Sequence, residues 1–314
     1  MLPIEPLPLL VIVGPTAVGK TAVSIDLAQR IGAEIVSADS RLFYRGMNIG
    51  TAKPSIAERC GVPHHLIDVA DPDENWSLVV FQAEAKRIIR QIVERGKLPI
   101  LVGGTGQYVR AVIEGWESPP QGPDLHMRAV LNQWAEAIGY QALHDRLAVL
   151  DPTAACRIDP PNVRRTVRAL EVIFATGKRF SVQQKKGQLA YATLIAGIRR
   201  SRQELYRRID QRVDQMMADG LLEEVEGLIA SGYPASLPTM SAIGYREMAD
   251  YLRGRSTLSE AVLLIKRATR EFVRRQANWF KETDPEITWL DAHEDPATHL
   301  ERLARERWPD FTGG

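Results

Sequence analysis

An apolar run, Leu9-Leu10-Val11-Ile12-Val13, leads directly into Gly14-Pro15-Thr16-Ala17-Val18-Gly19-Lys20-Thr21, which has the spacing G-x-x-x-x-G-K-T. A buried strand, a glycine-rich loop and a helix in that order constrain the chain to an α/β sheet whose first loop is a P-loop. The glycines let the backbone curl so that successive N–H groups converge on phosphate oxygens, and the helix that follows presents its positive N-terminus to the same anion. Lys20 adds a point charge, and the Thr21 hydroxyl is placed to ligate Mg²⁺. Val23, Leu27 and Ile31 recur at helical spacing until Gly32 supplies the stop. The motif implies a bound diphosphate or triphosphate. It leaves open whether those phosphates belong to ATP.

Four further strand-like runs follow, at 34–38, 98–103, 193–198 and 287–290, each separated from the next by helical pattern such as Val79 to Arg95. This alternation predicts a parallel sheet covered by helices on both faces, with ligands at the carboxyl ends of the strands. About ninety residues separate the third and fourth runs, too many for a simple crossover. Within them Ser118 to Asp124 reads as a linker, and Leu125 to Leu150 as a helical pair broken at Gly139-Tyr140. The expected organisation is a P-loop NTPase-like core over 1–118 and 155–314, with a helical insertion domain over 119–154. Helices are predicted from about Val163 to Thr176, stopped by Gly177, from Gln203 to Ala230 and from Leu258 to Phe280.

With 45% hydrophobic and 25% charged residues in 314, the chain has a globular composition, and no apolar run approaches the roughly 20 residues of a membrane span. The opening Met-Leu-Pro-Ile-Glu-Pro lacks a basic n-region, so the expected location is the cytoplasm. Cys60 and Cys156 form neither a disulfide framework nor a zinc knuckle. A net charge of +1 conceals a sorted distribution: residues 155–281 carry 23 Lys+Arg against 13 Asp+Glu, while the rest carry 17 against 26. Such asymmetry fits a polyanionic partner, or else arginine-bearing solvated helix faces.

Several residues near the expected strand ends have chemistry to offer. Asp39 follows the second run, where a carboxylate serves as a general base, as a group behind Mg²⁺, or as the N-cap of a following helix. Gly50-Thr-Ala-Lys is either another anion contact or a turn. Gly103-Gly104-Thr105 permits close backbone approach and offers a hydroxyl to the cleft. Arg212 falls at the edge of an apolar stripe of Leu205, Ile209, Val213 and Met216. It reaches inward to a diphosphate or pairs on the surface with Asp210 or Glu204. His64 and His65 are adjacent on a strand and point to opposite faces, so they read as structural.

The set Gly14-Pro-Thr-Ala-Val-Gly-Lys-Thr, Asp39-Ser with Tyr44 and Gly50-Thr-Ala-Lys-Pro, Pro63-His-His-Leu-Ile-Asp and Leu101-Val-Gly-Gly-Thr resembles the bacterial-type tRNA dimethylallyltransferases. Arg164-Arg-Thr-Val-Arg-Ala-Leu-Glu, Arg208-Ile-Asp-Gln-Arg, Ile243-Gly-Tyr-Arg and Arg274-Arg-Gln-Ala-Asn-Trp-Phe extend the resemblance over essentially the whole chain. The resemblance implies transfer of a dimethylallyl group from dimethylallyl diphosphate to N6 of the adenosine 3′-adjacent to the anticodon. Diphosphate would be released and Mg²⁺ would be the cofactor. It implies that Gly14, Pro15, Thr16, Ala17, Val18 and Gly19 hold the diphosphate, that Lys20, Thr21 with the metal, and Arg212 neutralise it, and that Asp39 takes the N6 proton. The implied tRNA contacts are Asp39, Ser40, Arg41 and Leu42; Thr105 at the reaction channel; Arg128; Arg164, Arg165, Thr166, Val167 and Arg168; Ser241, Ala242, Ile243, Gly244, Tyr245 and Arg246; and Arg274, Arg275, Trp279 and Lys281. Ser241 stands where some relatives have a basic residue. A monomer acting without a membrane is expected. A nucleoside-type kinase or ATPase, an adenylate isopentenyltransferase and a non-catalytic RNA-binding protein are the competing readings.

Overall fold

A computed structural model describes residues 6–117, 124–183, 185–186 and 190–312. Six strands form one fully parallel sheet: β1 (Leu7–Val13), β2 (Glu34–Ser37), β3 (His64–His65), β4 (Pro99–Val102), β5 (Tyr191–Arg199) and β6 (Ile287–Asp291), in the order β3-β2-β4-β1-β5-β6. β1 is central and pairs with β4 on one side (Val11 opposite Leu101) and β5 on the other (Val11 opposite Ile195). Its side chains alternate. Leu9, Val11 and Val13 enter one apolar layer, and Leu10 and Ile12 enter the layer on the opposite face. A central strand of a parallel sheet is buried on both faces, so its sequence reads as an unbroken hydrophobic run.

Helices α1 (Lys20–Ile31), α2 (Leu78–Glu94) and α3 (Gly106–Ile113) follow β1, β3 and β4. α1 stops where Gly32 adopts φ 65° and its N–H bonds to Ala28 O. Ser77 caps α2 by accepting from Val80 N. The predicted helix 203–230 is two helices, α7 (Arg202–Ala218) and α8 (Leu221–Ala230), because Asp219 ends the first and Gly220 turns at φ 95°. α9 (Tyr245–Leu252), α10 (Leu258–Gln276) and α11 (Pro296–Arg307) complete this part of the chain. The predicted end of α10 at Phe280 moves back to Gln276, where Ala277 caps the helix. The labels α4 to α6 belong to the second unit.

Two compact units emerge, residues 1–113 with 189–314, and residues 114–188. The second is therefore wider than the expected insertion of 119–154. Its α4 (Leu125–Ile138) and α5 (Tyr140–Leu150) are the predicted pair, broken at Gly139. α6 (Val163–Thr176), expected with the core, instead packs here: its Val167, Ala169 and Leu170 join Leu131, Ala135, Leu143 and Leu147 in one apolar cluster. The paired segments Trp116–Glu117 and Lys185–Lys186 also belong to this unit. The linker expected at Ser118 to Asp124 lies outside the described residues except for Asp124, which caps α4 by accepting from Met127 N.

Candidate active site

Because β4 lies between β1 and β2, the loops that leave these three strands are neighbours at one sheet edge. The contacts are close enough to require glycine. A Cβ at Gly103 would lie 2.6 Å from Ala38 O, and one at Gly14 would lie 2.6 Å from Ile198 O. The P-loop, Asp39 and Thr105 are thereby brought together.

The loop from Gly14 to Gly19 leads into α1 with no side chain capping the helix. Its first-turn amides remain available to an anion. The Lys20 ammonium donates to Pro15 O at 2.9 Å. Burial pushes its pKa down to about 8; the Asp39 carboxylate opposes that fall and the Arg212 guanidinium adds to it. Arg212 is itself held below the ordinary arginine range by burial and by the neighbouring Arg208, with Asp39 acting the other way. The surface pairing open to Arg212 does not occur: Asp210 takes Arg270, and Glu204 takes Arg200. Among the described residues neither Lys20 nor Arg212 has an ion-pair partner within 4 Å. Two cations and one carboxylate thus lie within electrostatic reach of one another but are not paired. Such an arrangement leaves both cations free to meet a diphosphate. Thr21 is exposed beside them.

Asp39 is half-buried, and its Oδ1 accepts the Arg41 N–H at 3.0 Å. That bond organises a turn. No helix follows, so the N-cap role does not apply. Ser40, Arg41 and Leu42 are half-buried beside it. Thr105 begins α3 by accepting from Tyr108 N and Val109 N. The Gly50-Thr-Ala-Lys segment is already occupied from within the chain. The N–H groups of Asn48, Ile49 and Gly50 donate to the Glu224 carboxylate at 2.9, 2.8 and 3.2 Å, and the Tyr245 hydroxyl donates to it as well. Lys53 bonds to Asp68 at 2.5 Å.

The remaining expected residues separate into those open to a partner and those the fold has used. Ser241, Arg274, Arg275 and Lys281 are exposed, Arg246 is exposed but pairs with the buried Glu247 at 2.5 Å, and Ile243 is half-buried. Tyr245, Ala242 and Gly244 are buried, so among 241–246 the Tyr245 side chain serves the Glu224 contact and not a surface. Trp279 packs on the start of α3, where a Cβ at Gly106 would lie 2.2 Å from its Cγ. In the second unit Arg164 and Arg165 are exposed, but Thr166 and Val167 face the core. There Arg128 and Arg168 both pair with the buried Glu171, at 2.7 and 3.0 Å. One carboxylate thus holds both guanidinium groups in place. His65 bonds to Glu34 and His64 to Val62 O, as structural residues do.

Three residues that hold the P-loop from outside lie beyond the expected set. Arg208 Nε donates to Ala17 O at 2.8 Å and Arg200 Nε to Val18 O at 2.9 Å. Gln276 accepts from Thr16 N at 2.8 Å. Arg208 sits one helical turn before Arg212, a spacing visible in the sequence; Gln276 lies 260 positions from its partner, and no local pattern signals it.

Residues 42–283 match the family model described as IPP transferase, and residues 7–69 match one described as isopentenyl transferase. A tRNA dimethylallyltransferase of Roseiflexus sp. (strain RS-1) is 50% identical over 304 residues, covering 97% of this chain and 99% of that protein. One from Symbiobacterium thermophilum is 50% identical over 310 residues, covering 96% and 97%. Among solved structures, the tRNA isopentenylpyrophosphate transferase of Bacillus halodurans superposes with a TM-score of 0.72 at 42% identity, covering 96% of both chains. A eukaryotic dimethylallyltransferase acting on tRNA superposes at 0.81 with 28% identity, covering 96% of this chain and 79% of that one. At such identity and coverage, the chain belongs to the IPP transferase family, that of the tRNA dimethylallyltransferases.

Proposed function

We propose that this protein transfers the dimethylallyl group of dimethylallyl diphosphate to N6 of the adenosine 3′-adjacent to the anticodon in tRNA. The observation that carries this reading is that Lys20 after β1 and Arg212 on α7, both without a carboxylate partner within 4 Å, lie within electrostatic reach of Asp39 after β2. The exocyclic amine of adenine is a poor nucleophile because its lone pair is delocalised into the ring. As the N6–C bond forms, the Asp39 carboxylate takes the N6 proton, and the electrons of the breaking C–O bond leave with the diphosphate. Lys20, Arg212 and the amides of the P-loop stabilise the charge where it develops.

Thr21 and Asp39 are oxygen donors, and among the described residues no cluster of three His, Cys, Asp or Glu exists to cage a metal. That donor set fits Mg²⁺, which binds through one or two protein oxygens and substrate phosphates. When bound, the ion would neutralise diphosphate charge.

Arg164, Arg165, Arg246, Arg274, Arg275 and Lys281 are the exposed cations this reading assigns to the tRNA. Their phosphate contacts would offset the few kcal/mol needed to unstack the target base. Among the described residues no helix is long and apolar enough to cross a membrane. We take the protein as a cytoplasmic monomer, a state that light scattering checks. Mass analysis of tRNA incubated with dimethylallyl diphosphate and Mg²⁺, with AMP as a parallel acceptor, tests the function. Prenylated AMP with unmodified tRNA, or phosphoryl transfer from ATP, would overturn it.

A further inference from the structure

Gln276 is the last residue of α10 and is 6% exposed, although its neighbours Arg274, Arg275, Ala277 and Asn278 are exposed. Its amide is held at both ends. Oε1 accepts the Thr16 N–H at 2.8 Å, and Nε2 donates to Gly104 O at 2.9 Å. The second contact depends on glycine, because a Cβ at 104 would come within 2.4 Å of that nitrogen.

A trans peptide holds its C=O and N–H antiparallel, so fixing one end aims the other. The Thr16 N–H belongs to the same peptide as Pro15 O, and Pro15 O is the group that holds the Lys20 ammonium at 2.9 Å. Turning this peptide would carry Pro15 O away from Lys20. Further along the loop the carbonyls of Ala17 and Val18 accept from Arg208 and Arg200, and Pro15 O also takes a longer bond from Val18 N at 3.4 Å; at the N–H end of the Pro15–Thr16 peptide the partner is Gln276.

We propose that Gln276 is a positioning residue for Lys20: it fixes the Pro15–Thr16 peptide so that Pro15 O holds the ammonium over the P-loop, and it ties that loop to the β4–α3 loop bearing Thr105. The inference rests on the proposed use of the P-loop as a diphosphate holder. A residue that only filled space would lower stability and affect every ligand alike. One acting through Lys20 has no effect once Lys20 is gone.

The test is a double-mutant cycle on binding of inorganic diphosphate with Mg²⁺, using Gln276→Met, Lys20→Met and the double variant, with tRNA affinity measured on each. Gln276→Met should weaken diphosphate binding about tenfold when Lys20 is present and less than about twofold when it is replaced, with tRNA affinity unchanged. Equal losses in both backgrounds, or no loss in either, would overturn the inference while leaving the diphosphate reading intact. If the native protein does not bind diphosphate, both fail. Should Met at 276 prevent folding, Gln276→Leu in the same cycle gives the same two outcomes.

Discussion

The depressed pKa of Lys20 makes donor affinity pH-dependent in a range where little else in the site titrates. Burial and the Arg212 charge bring the ammonium down to about 8, so in the free protein it loses its proton across the mildly alkaline range. A bound diphosphate holds the ammonium charged, so binding above that pKa must first take up a proton. Affinity therefore falls as pH rises, approaching tenfold per unit. For one site with a pKa near 8, the loss between pH 7.5 and 9.5 is about 25-fold, or about 2 kcal/mol. The ligand should be an unreactive saturated alkyl diphosphate, fully ionised throughout that range, and the assay calorimetric titration with Mg²⁺. Lys20→Met should bind weakly and give a flat profile. Arg212→Met should bind weakly but move the midpoint upward, because the guanidinium is one of the groups holding it down. A flat native profile, or a midpoint that Arg212→Met moves downward, would refute this account of the site.

Asp39→Asn should leave tRNA binding near native and lower the transfer rate by about 10²–10⁴-fold, the usual contribution of a positioned base; unchanged turnover in a rapid-quench assay would remove Asp39 from that role. Replacing Arg164 and Arg165 by Ala should weaken tRNA binding and reduce the slope of log affinity against log salt by about 1.5, whereas Arg168→Ala, whose guanidinium is held by Glu171, should change the slope less. Glu224→Ala removes the acceptor of three backbone N–H groups and the Tyr245 hydroxyl and should cost about 3–5 kcal/mol in denaturant unfolding; a loss under about 1 kcal/mol would mean those donors find water. Glu34 titrates near 2, held there against burial by His65, Arg95 and Lys97. Its contribution is present above the unfolded carboxylate range and lost as pH falls toward 2, so Glu34→Gln should lower the melting temperature at pH 7 and flatten its acid limb.

How much of this was legible in the sequence follows from the range of each interaction. All five long strands were legible because each is a short apolar run flanked by helical pattern, the helix from Val163 to Thr176 because period-3.6 burial is a local pattern, and Gly32 and Gly177 mark stops by their own backbone freedom. The two-residue strand His64–His65, expected only as the setting of the histidine pair and not as one of the apolar runs, is too short to carry a period and exists through pairing with Ile35 and Val36. The break at Asp219-Gly220 was missed because the apolar stripe resumes at Leu221. The wider second unit was missed for a different reason. α6 has an ordinary amphipathic face, and nothing within it says which core that face will join.

The site shows the same division more sharply. The chain contains two stretches of backbone N–H groups disposed to hold an anion, the P-loop and residues 48–50, and from sequence each is a glycine-containing turn beside a lysine. What separates them is the origin of the anion. At 48–50 it is Glu224, from 174 residues away, fixed in place by the buried Tyr245. A carboxylate delivered by the fold makes that nest a joint, closed to ligands and suited to holding the chain beyond Asp39. At the P-loop the long-range side chains are of the opposite kind. Arg200 and Arg208 engage the loop's carbonyls and Gln276 one amide, and none supplies an anion. Side chains that engage carbonyls do not compete for amides, and amides beside Lys20 and Arg212 favour an anion over water. The fold thus fills one nest with its own carboxylate and gives the other none, a distinction set by Glu224 and not by either loop's own motif.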